Sequence, residues 1–398
     1  MTGAHSTGTG NRQGMIYLDH AATALWRPSG VEETMTLAWH SVGNPGRGSH
    51  EPSMLAAKYL LRSRQLLSHY FGAESPEEIV FTQNATMALN IAVQGTLREG
   101  DHVITSMAEH NSVLRPLYLA QKQKNVSLSF LPLDDKGRIR LELLETMLRK
   151  NTRAVVITHA SNVTGNVTDL SEVRAFTRRH GLLLIVDASQ SAGSISVNVR
   201  ETGADIICFT GHKALLGPQG TGGMYVRKGT EVEPLFAGGT GMDSFSREMP
   251  EAMPERLEAG TPNVPGIAGL GAAVLYHENY DDAKRHHTEM AREKNFILRV
   301  IDIPGIRLYG DYAAEDARRV PIVSLNIEGV DSAQLASLLY EEGGICVRAG
   351  VHCAPLVHTS FGTVKQGMVR FSFSAENSDQ DVNSAAQLLR TLAQSLRA

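Results

Sequence analysis

Short apolar runs recur along the first two thirds of the chain, each bounded by polar or glycine-containing segments. Runs at 78–82, 102–105, 127–131, 154–158, 182–187, 206–210 and 223–226 predict β-strands. Stretches between them carry Leu and Ala at three- to four-residue spacing and predict helices at 53–70, 87–96, 140–150 and 170–180. Asp169 stands where the last of these needs an N-cap, and Gly181 lies just past its end. Near-continuous apolar strands alternating with helices predict an α/β fold, with a mostly parallel central sheet covered on both faces. The pattern changes after residue 265. A long helical stretch at 267–300 precedes strands at 322–327, 345–348 and 367–374 and helices at 332–342 and 379–396, which predict a smaller α+β C-terminal domain. Pro262, Pro265 and Gly266 mark the junction. The expected organisation is a flexible polar tail at 1–14, a large domain with an N-terminal arm at 15–264, and a small domain at 265–398. Ordered-looking sequence begins at Met15, which is therefore an alternative start to Met1.

Composition narrows the function. The 398 residues carry 38 Lys+Arg and 42 Asp+Glu, a net charge of −4, which argues against a nucleic-acid partner. Hydrophobic residues at 42% and charged residues at 20% allow a sizeable core. Three cysteines make no disulfide framework and point to a reducing, cytoplasmic setting. No apolar run approaches the ~20 residues of a membrane span, and the N-terminus lacks the apolar segment of a signal peptide.

The candidate chemistry gathers at strand ends. Leu184-Ile185-Val186 delivers Asp187 at the edge where ligands of open α/β sheets collect. Phe209-Thr210-Gly211-His212-Lys213 ends another strand with a Lys in a loop bounded by Gly and Pro. Alone, Asp187 reads as a helix cap and Lys213 as a surface residue. Together they suit pyridoxal 5′-phosphate. An amine holds its aldehyde, and an anion keeps the ring nitrogen protonated so that the ring draws electrons. Asn84-Ala85-Thr86 opens a helix with small residues, leaving N–H groups for a phosphate and adding the Thr86 hydroxyl. Taken alone, that turn is an ordinary helix start. His110 follows strand 102–105 and suits stacking on a flat cofactor or moving protons. His69, His180, His286 and His287 read as surface groups. Cys353, in the Gly/Pro-containing loop Gly350-Val351-His352-Cys353-Ala354-Pro355, is the cysteine whose setting suits a reactive thiolate. Cys208 and Cys346 read as buried small hydrophobes. Arg370 begins a late strand and suits a carboxylate, with a surface ion pair as the plainer reading. No metal is assigned.

Together these residues resemble the class V aminotransferase family and, within it, the cysteine desulfurases. The resemblance runs from Tyr17-Leu18-Asp19-His20-Ala21-Ala22-Thr23 to Asn377. Its most specific segments are Thr210-Gly211-His212-Lys213, Glu258-Ala259-Gly260-Thr261-Pro262-Asn263 and Arg348-Ala349-Gly350-Val351-His352-Cys353-Ala354. The last is similar to the group II, SufS-like branch. The resemblance implies the fold type I of pyridoxal-phosphate transferases and the reaction of L-cysteine to L-alanine. It implies that Lys213 condenses with the cofactor aldehyde, Asp187 pairs with the ring nitrogen, Gln190 meets the ring oxygen and His110 stacks on the ring. Ala85, Thr86, Thr210 and His212 would hold the phosphate, and Thr261 would reach the phosphate of a second subunit in a homodimer with shared sites. Asn162 and Arg370 would take the substrate carboxylate, Arg348 would position the Cys loop, and Cys353 would accept the sulfur and pass it to an acceptor protein. The phosphate turn departs from the Gly-Thr-Thr pattern by one hydroxyl, and Glu376 stands where an aromatic is commoner.

Two alternatives keep the cofactor: a selenocysteine lyase, or another class V lyase or aminotransferase. A cofactor-free thiol enzyme using Cys353 and His352 is disfavoured, because adjacent residues on an extended chain point opposite ways. A non-catalytic scaffold fits poorly with the joint presence of Lys213, Asp187, Arg370 and Cys353.

Overall fold

The structure is a computed structural model and describes residues 14–396. The tail read from the sequence therefore lies, apart from Gly14, outside the described residues, as does Met1. Strand β1 (Ile16–Tyr17) belongs to the N-terminal arm. The large sheet holds β2 (Ile79–Thr82), β3 (His102–Ser106), β4 (Ser127–Leu131), β5 (Thr152–Thr158), β6 (Leu183–Asp187), β7 (Ile206–Thr210) and β8 (Gly222–Val226). Their order is β2-β8-β7-β6-β5-β3-β4. The pairs from β7 to β4 are all parallel, while β8 runs antiparallel to β7 and β2. This is the mostly parallel sheet the alternating pattern predicts.

Strand alternation divides the core into two layers. Val155, Ile157, Leu184, Val186, Ile207 and Phe209 pack on one face with Leu67, Phe176 and Leu270 from helices. Ala154, Val156, Ile185, Ile206 and Cys208 pack on the other with Leu89, Val93, Val113 and Leu117. Burial on both faces is why these strands read as unbroken apolar runs. The helix Leu170–His180 has the expected ends: Asp169 accepts the Ser171 N–H, and Gly181 takes the left-handed conformation.

The C-terminal strands are β9 (Ile306–Tyr309), β10 (Ile322–Ile327), β11 (Ile345–Cys346), β12 (Arg348–Gly350) and β13 (Met368–Ser372). Four of these form a smaller sheet in the order β12-β13-β10-β9, and β11 instead pairs in parallel with β1. The predicted strand at 345–348 is thus two strands in two sheets, turning at Val347. Leu18 of the arm is buried in the core of this smaller layer, so the arm packs with the C-terminal part of the chain.

Two further expectations are corrected. The predicted helix at 140–150 is a 3-10 turn, Leu141–Leu143, and a single helical turn, Leu144–Met147. Only Leu141 and Leu144 of this stretch are buried, too small an apolar face to hold a longer helix. The predicted helix at 267–300 is two helices, Val264–Asn279 and Asp282–Val300. Tyr280 is extended, and Asp281 caps the second helix by accepting the Lys284 N–H at 3.0 Å. Ile267, Leu270 and Val274 of the first helix pack in the large core, and Phe296, Ile297 and Val300 of the second in the small one. The change of core falls between these helices, beyond Pro265. The helices Ser29–Ser41, Asn111–Lys124 and Pro355–Phe361 and strand β9 were not expected from the sequence.

Candidate active site

The C-terminal ends of β5, β6 and β7 open onto a cavity of about 320 Å³. The start of the helix Ala85–Thr96, the arm residues Ala21 and Ala22, and the loop carrying His352 and Cys353 close its other sides. Parallel strand pairing brings Thr158 opposite Asp187 and Asp187 opposite Cys208, so one sheet edge presents these positions together.

Lys213 lies just past β7 on the cavity wall. Burial lowers its pKa to about 8 against the opposing pull of Asp187, with Arg370 adding to the downward shift. Asp187 accepts the Ser189 N–H at 2.9 Å and the Ser189 hydroxyl at 2.5 Å, both on Oδ1. Gln190 donates from Nε2 to the Ala21 carbonyl at 3.0 Å, which ties the arm to the cavity. His110 caps the helix Asn111–Lys124, its Nδ1 accepting the Ser112 N–H at 3.0 Å. That bond leaves the proton of the neutral ring on Nε2. Burial, and next the charge of Lys213, lower its pKa to about 4.

Asn84 caps the helix Ala85–Thr96 by accepting the Met87 N–H at 3.0 Å. The remaining first-turn N–H groups have no partner inside the helix, which favours an anion there. Thr210 Oγ1 is buried beside this helix start with no hydrogen-bond partner among the described residues. His212 shares a hydrogen bond of 3.1 Å with the Thr23 hydroxyl, and burial lowers its pKa to about 4.

The opposite wall is cationic. Arg370 is buried, donating from Nη1 to the Asn162 carbonyl at 3.0 Å and from Nη2 to Asp19 Oδ1 at 3.0 Å. Its Nε has no partner among the described residues. Arg348 donates to Asp19 Oδ2 from Nε at 3.1 Å and from Nη2 at 2.9 Å. Asp19 thus bridges both guanidinium groups, a role the sequence did not suggest although the segment holding it stood out. The Asn162 amide donates to the His352 carbonyl at 2.8 Å, so part of its donor capacity holds the Cys loop.

Cys353 is exposed on the cavity rim. His352 and Cys353 have φ of 51° and 56°, a left-handed pair that only a well-held turn sustains in non-glycine residues. The backbone here is not extended, so the strand-alternation argument separating the two side chains does not apply, and both line the cavity. His352 Nε2 lies 3.3 Å from the Arg348 carbonyl, and its ring stacks on His358 at 5.8 Å. The Cys353 carbonyl accepts the Asn111 N–H at 2.6 Å, joining this turn to the residue after His110.

The cavity therefore gathers Lys213, Asp187, Gln190, His110, Ala85, Thr86, Thr210, His212, Asn162, Arg348, Arg370 and Cys353. Thr261 is exposed outside it, with its hydroxyl 3.5 Å from Asn44 Nδ2. Cys208 is buried as expected, whereas Cys346 is only partly covered. His286, expected at the surface, is partly buried against the Asp316 carbonyl at 3.1 Å.

The model of the family described as Aminotransferase class-V matches residues 16–384. The chain belongs to the class V aminotransferase family. It is 35% identical over 375 residues to the "Probable cysteine desulfurase" of Methanothermobacter thermautotrophicus, covering 91% of this chain and 92% of that protein. It is 32% identical over 389 residues to the "Probable cysteine desulfurase" of Halalkalibacterium halodurans, covering 95% and 93%. The solved apo structure of a cysteine desulfurase from Thermococcus onnurineus NA1 superposes with a TM-score of 0.88 at 30% identity, covering 96% of this chain and 95% of that one. The fold is the type I fold of this family, whose members use pyridoxal 5′-phosphate. The residues present fit that group, on the unpartnered Thr210 hydroxyl beside a helix start and the Lys213–Asp187 pair across one cavity. Among the described residues no helix is long and apolar enough to cross a membrane.

Proposed function

We propose that this chain is a pyridoxal-phosphate-dependent cysteine desulfurase that converts L-cysteine to L-alanine and takes the sulfur onto Cys353. The observation that carries the reading is the single cavity lined by Lys213, Asp187, Arg370 and Cys353. The cofactor, when bound, supplies an electron sink for the bonds around the substrate Cα. Lys213, Asp187 and the start of the helix Ala85–Thr96 would hold its aldehyde, ring nitrogen and phosphate, with Thr86, Thr210 and His212 beside the phosphate. His110 would lie on the ring and Gln190 at its oxygen.

The chain's own groups divide the remaining work. Asp19 is one anion shared by two cations, so one positive charge is left on this wall for the substrate carboxylate. Lys213, with its amine drawn toward neutrality, moves the proton at Cα. The Cys353 thiolate then attacks the substrate sulfur. The new S–S bond forms as the substrate C–S bond breaks, and its electron pair takes a proton at Cβ to give alanine. Arg348 and Asn162 hold the turn from which that thiolate reaches inward.

The exposed position of Thr261 supports its reaching the phosphate of a second copy in a homodimer. The free thiols and near-neutral charge support a cytoplasmic enzyme serving a sulfur-acceptor protein, and the Cys loop supports the group II branch. The test is alanine formation from L-cysteine together with a persulfide on Cys353. Cys353→Ala is expected to keep the cofactor's visible absorption and lose alanine formation at least about a hundredfold. Lys213→Ala is expected to lose the lysine-linked absorption. Unchanged turnover in Cys353→Ala would sink the assignment.

A further inference from the structure

Glu109 precedes His110 and is fully buried, and its hydrogen-bond partners among the described residues are both uncharged. Its Oε1 accepts two hydrogen bonds, from the Ser106 hydroxyl and from the Thr158 N–H at 3.0 Å. Its Oε2 is buried with no partner among the described residues. Thr158 is the register partner of Asp187 on the neighbouring strand, so a second carboxyl lies behind the one that faces the cavity. An isolated buried carboxylate costs several kcal/mol, far more than two neutral donors return. A neutral acid solves this geometry: the carbonyl oxygen takes both donors, and the proton sits on Oε2.

We infer that Glu109 is a positioning residue which, as a neutral carboxylic acid, fastens the turn carrying His110 to the end of β5 and leaves Asp187 the only charged carboxyl at this sheet edge. Burial raises its pKa to about 8, and the charge of Asp187 acts in the same direction, while the Ser106 and Thr158 donors oppose it. The groups facing it are Ser106 at the end of β3, Thr158 at the end of β5 and Asp187 at the end of β6, and of these only Asp187 is charged. Ionisation of Glu109 would set a second negative charge beside Asp187, behind the pair that Asp187 forms with Lys213 across the cavity.

The inference rests on the cofactor reading only for what the clamp serves; the buried acid itself is tested without it. The holoenzyme is compared with Glu109→Gln, which keeps the shape of the neutral acid, and with Glu109→Ala. Difference infrared spectra of wild type minus Glu109→Gln are expected to show a protonated-carboxyl band at neutral pH that fades above about pH 8. Glu109→Gln is expected to keep alanine formation within about threefold and to lose the alkaline change in the cofactor's absorption. Glu109→Ala is expected to lose activity about tenfold or more through a lower kcat. Absence of the carboxyl band at neutral pH overturns the inference. An alkaline change in absorption that persists in Glu109→Gln, or a Gln variant as impaired as Ala, also overturns it. A carboxyl band in a chain that makes no alanine would instead uphold the buried acid and sink the desulfurase reading.

Discussion

Asp19 decides the charge of the substrate wall. Its two oxygens are divided between Arg348 and Arg370, and hydrogen bonds to charged groups are worth about 1.5–3 kcal/mol each. Asp19→Asn is expected to raise the KM for L-cysteine about tenfold and to lower kcat less, because the guanidinium groups lose their orientation before the reacting atoms lose theirs; steady-state alanine formation measures both. Lys213 carries a pH expectation. Only the neutral amine condenses with an aldehyde, and burial lowers this amine to about 8. Cofactor uptake by the apo chain should therefore quicken with rising pH and level off near pH 8, read by visible absorption. A rate still climbing well above pH 9 would mean an ordinary exposed Lys. Lys213, Asp187 and Cys353 were legible because each sits at the end of a strand or in a loop whose local pattern marks it. Asp19 was not, because its partners are 329 and 351 residues away. Glu109 was hidden for another reason: a buried acid without a cation has no sequence signature.

Elements were legible where one face, or both, is committed to a core. The strands of the large sheet fall within two residues of their expected ends, since most of their length is apolar and buried on both sides. The stretch 140–150 failed because its Leu spacing imitates a helix face with little to pack against. The break at Tyr280 was invisible because helical spacing continues on both sides of it. Packing also fixes single positions. A Cβ on Gly222 would lie 2.7 Å from the Phe209 carbonyl and 2.9 Å from Asn84 Cα, at the turn that opens the helix Ala85–Thr96. Gly222→Ala is expected to weaken cofactor binding about tenfold or more while the fold persists. Binding is followed by absorption titration and the fold by circular dichroism.

Across the whole molecule, buried titratable groups set a pH window. His110, His159 and His212 are each lowered to about 4. The unfolded chain binds those protons near pH 6.5, so stability falls as pH drops from there toward 4. Glu109 and Glu293 are raised to about 8 and about 7, so they bind protons in the folded state that the unfolded chain has released. They cost stability as pH rises from about 4.5 through those values. Between pH 4 and 8 the melting temperature should therefore peak near pH 6.5, and a steady climb from pH 6.5 to 8 would contradict these burials; above pH 8 the lowered Lys213 adds stability again. Assembly is the second expectation at this scale. Leu37, Trp39 and Leu61 are 64%, 73% and 53% exposed on two neighbouring helices, Ser29–Ser41 and Glu51–Phe71. On the homodimer proposed above, Trp39→Asp is expected to favour the monomer in sedimentation, with the variant still folded.

The bond from the Asn111 N–H to the Cys353 carbonyl joins the start of the helix Asn111–Lys124 to the sulfur-bearing loop. It makes the sulfur-bearing turn and the His110 turn a single hinge pin. Any separation of the two turns must break this bond first, so the thiol keeps its place beside the His110 turn for as long as the bond holds.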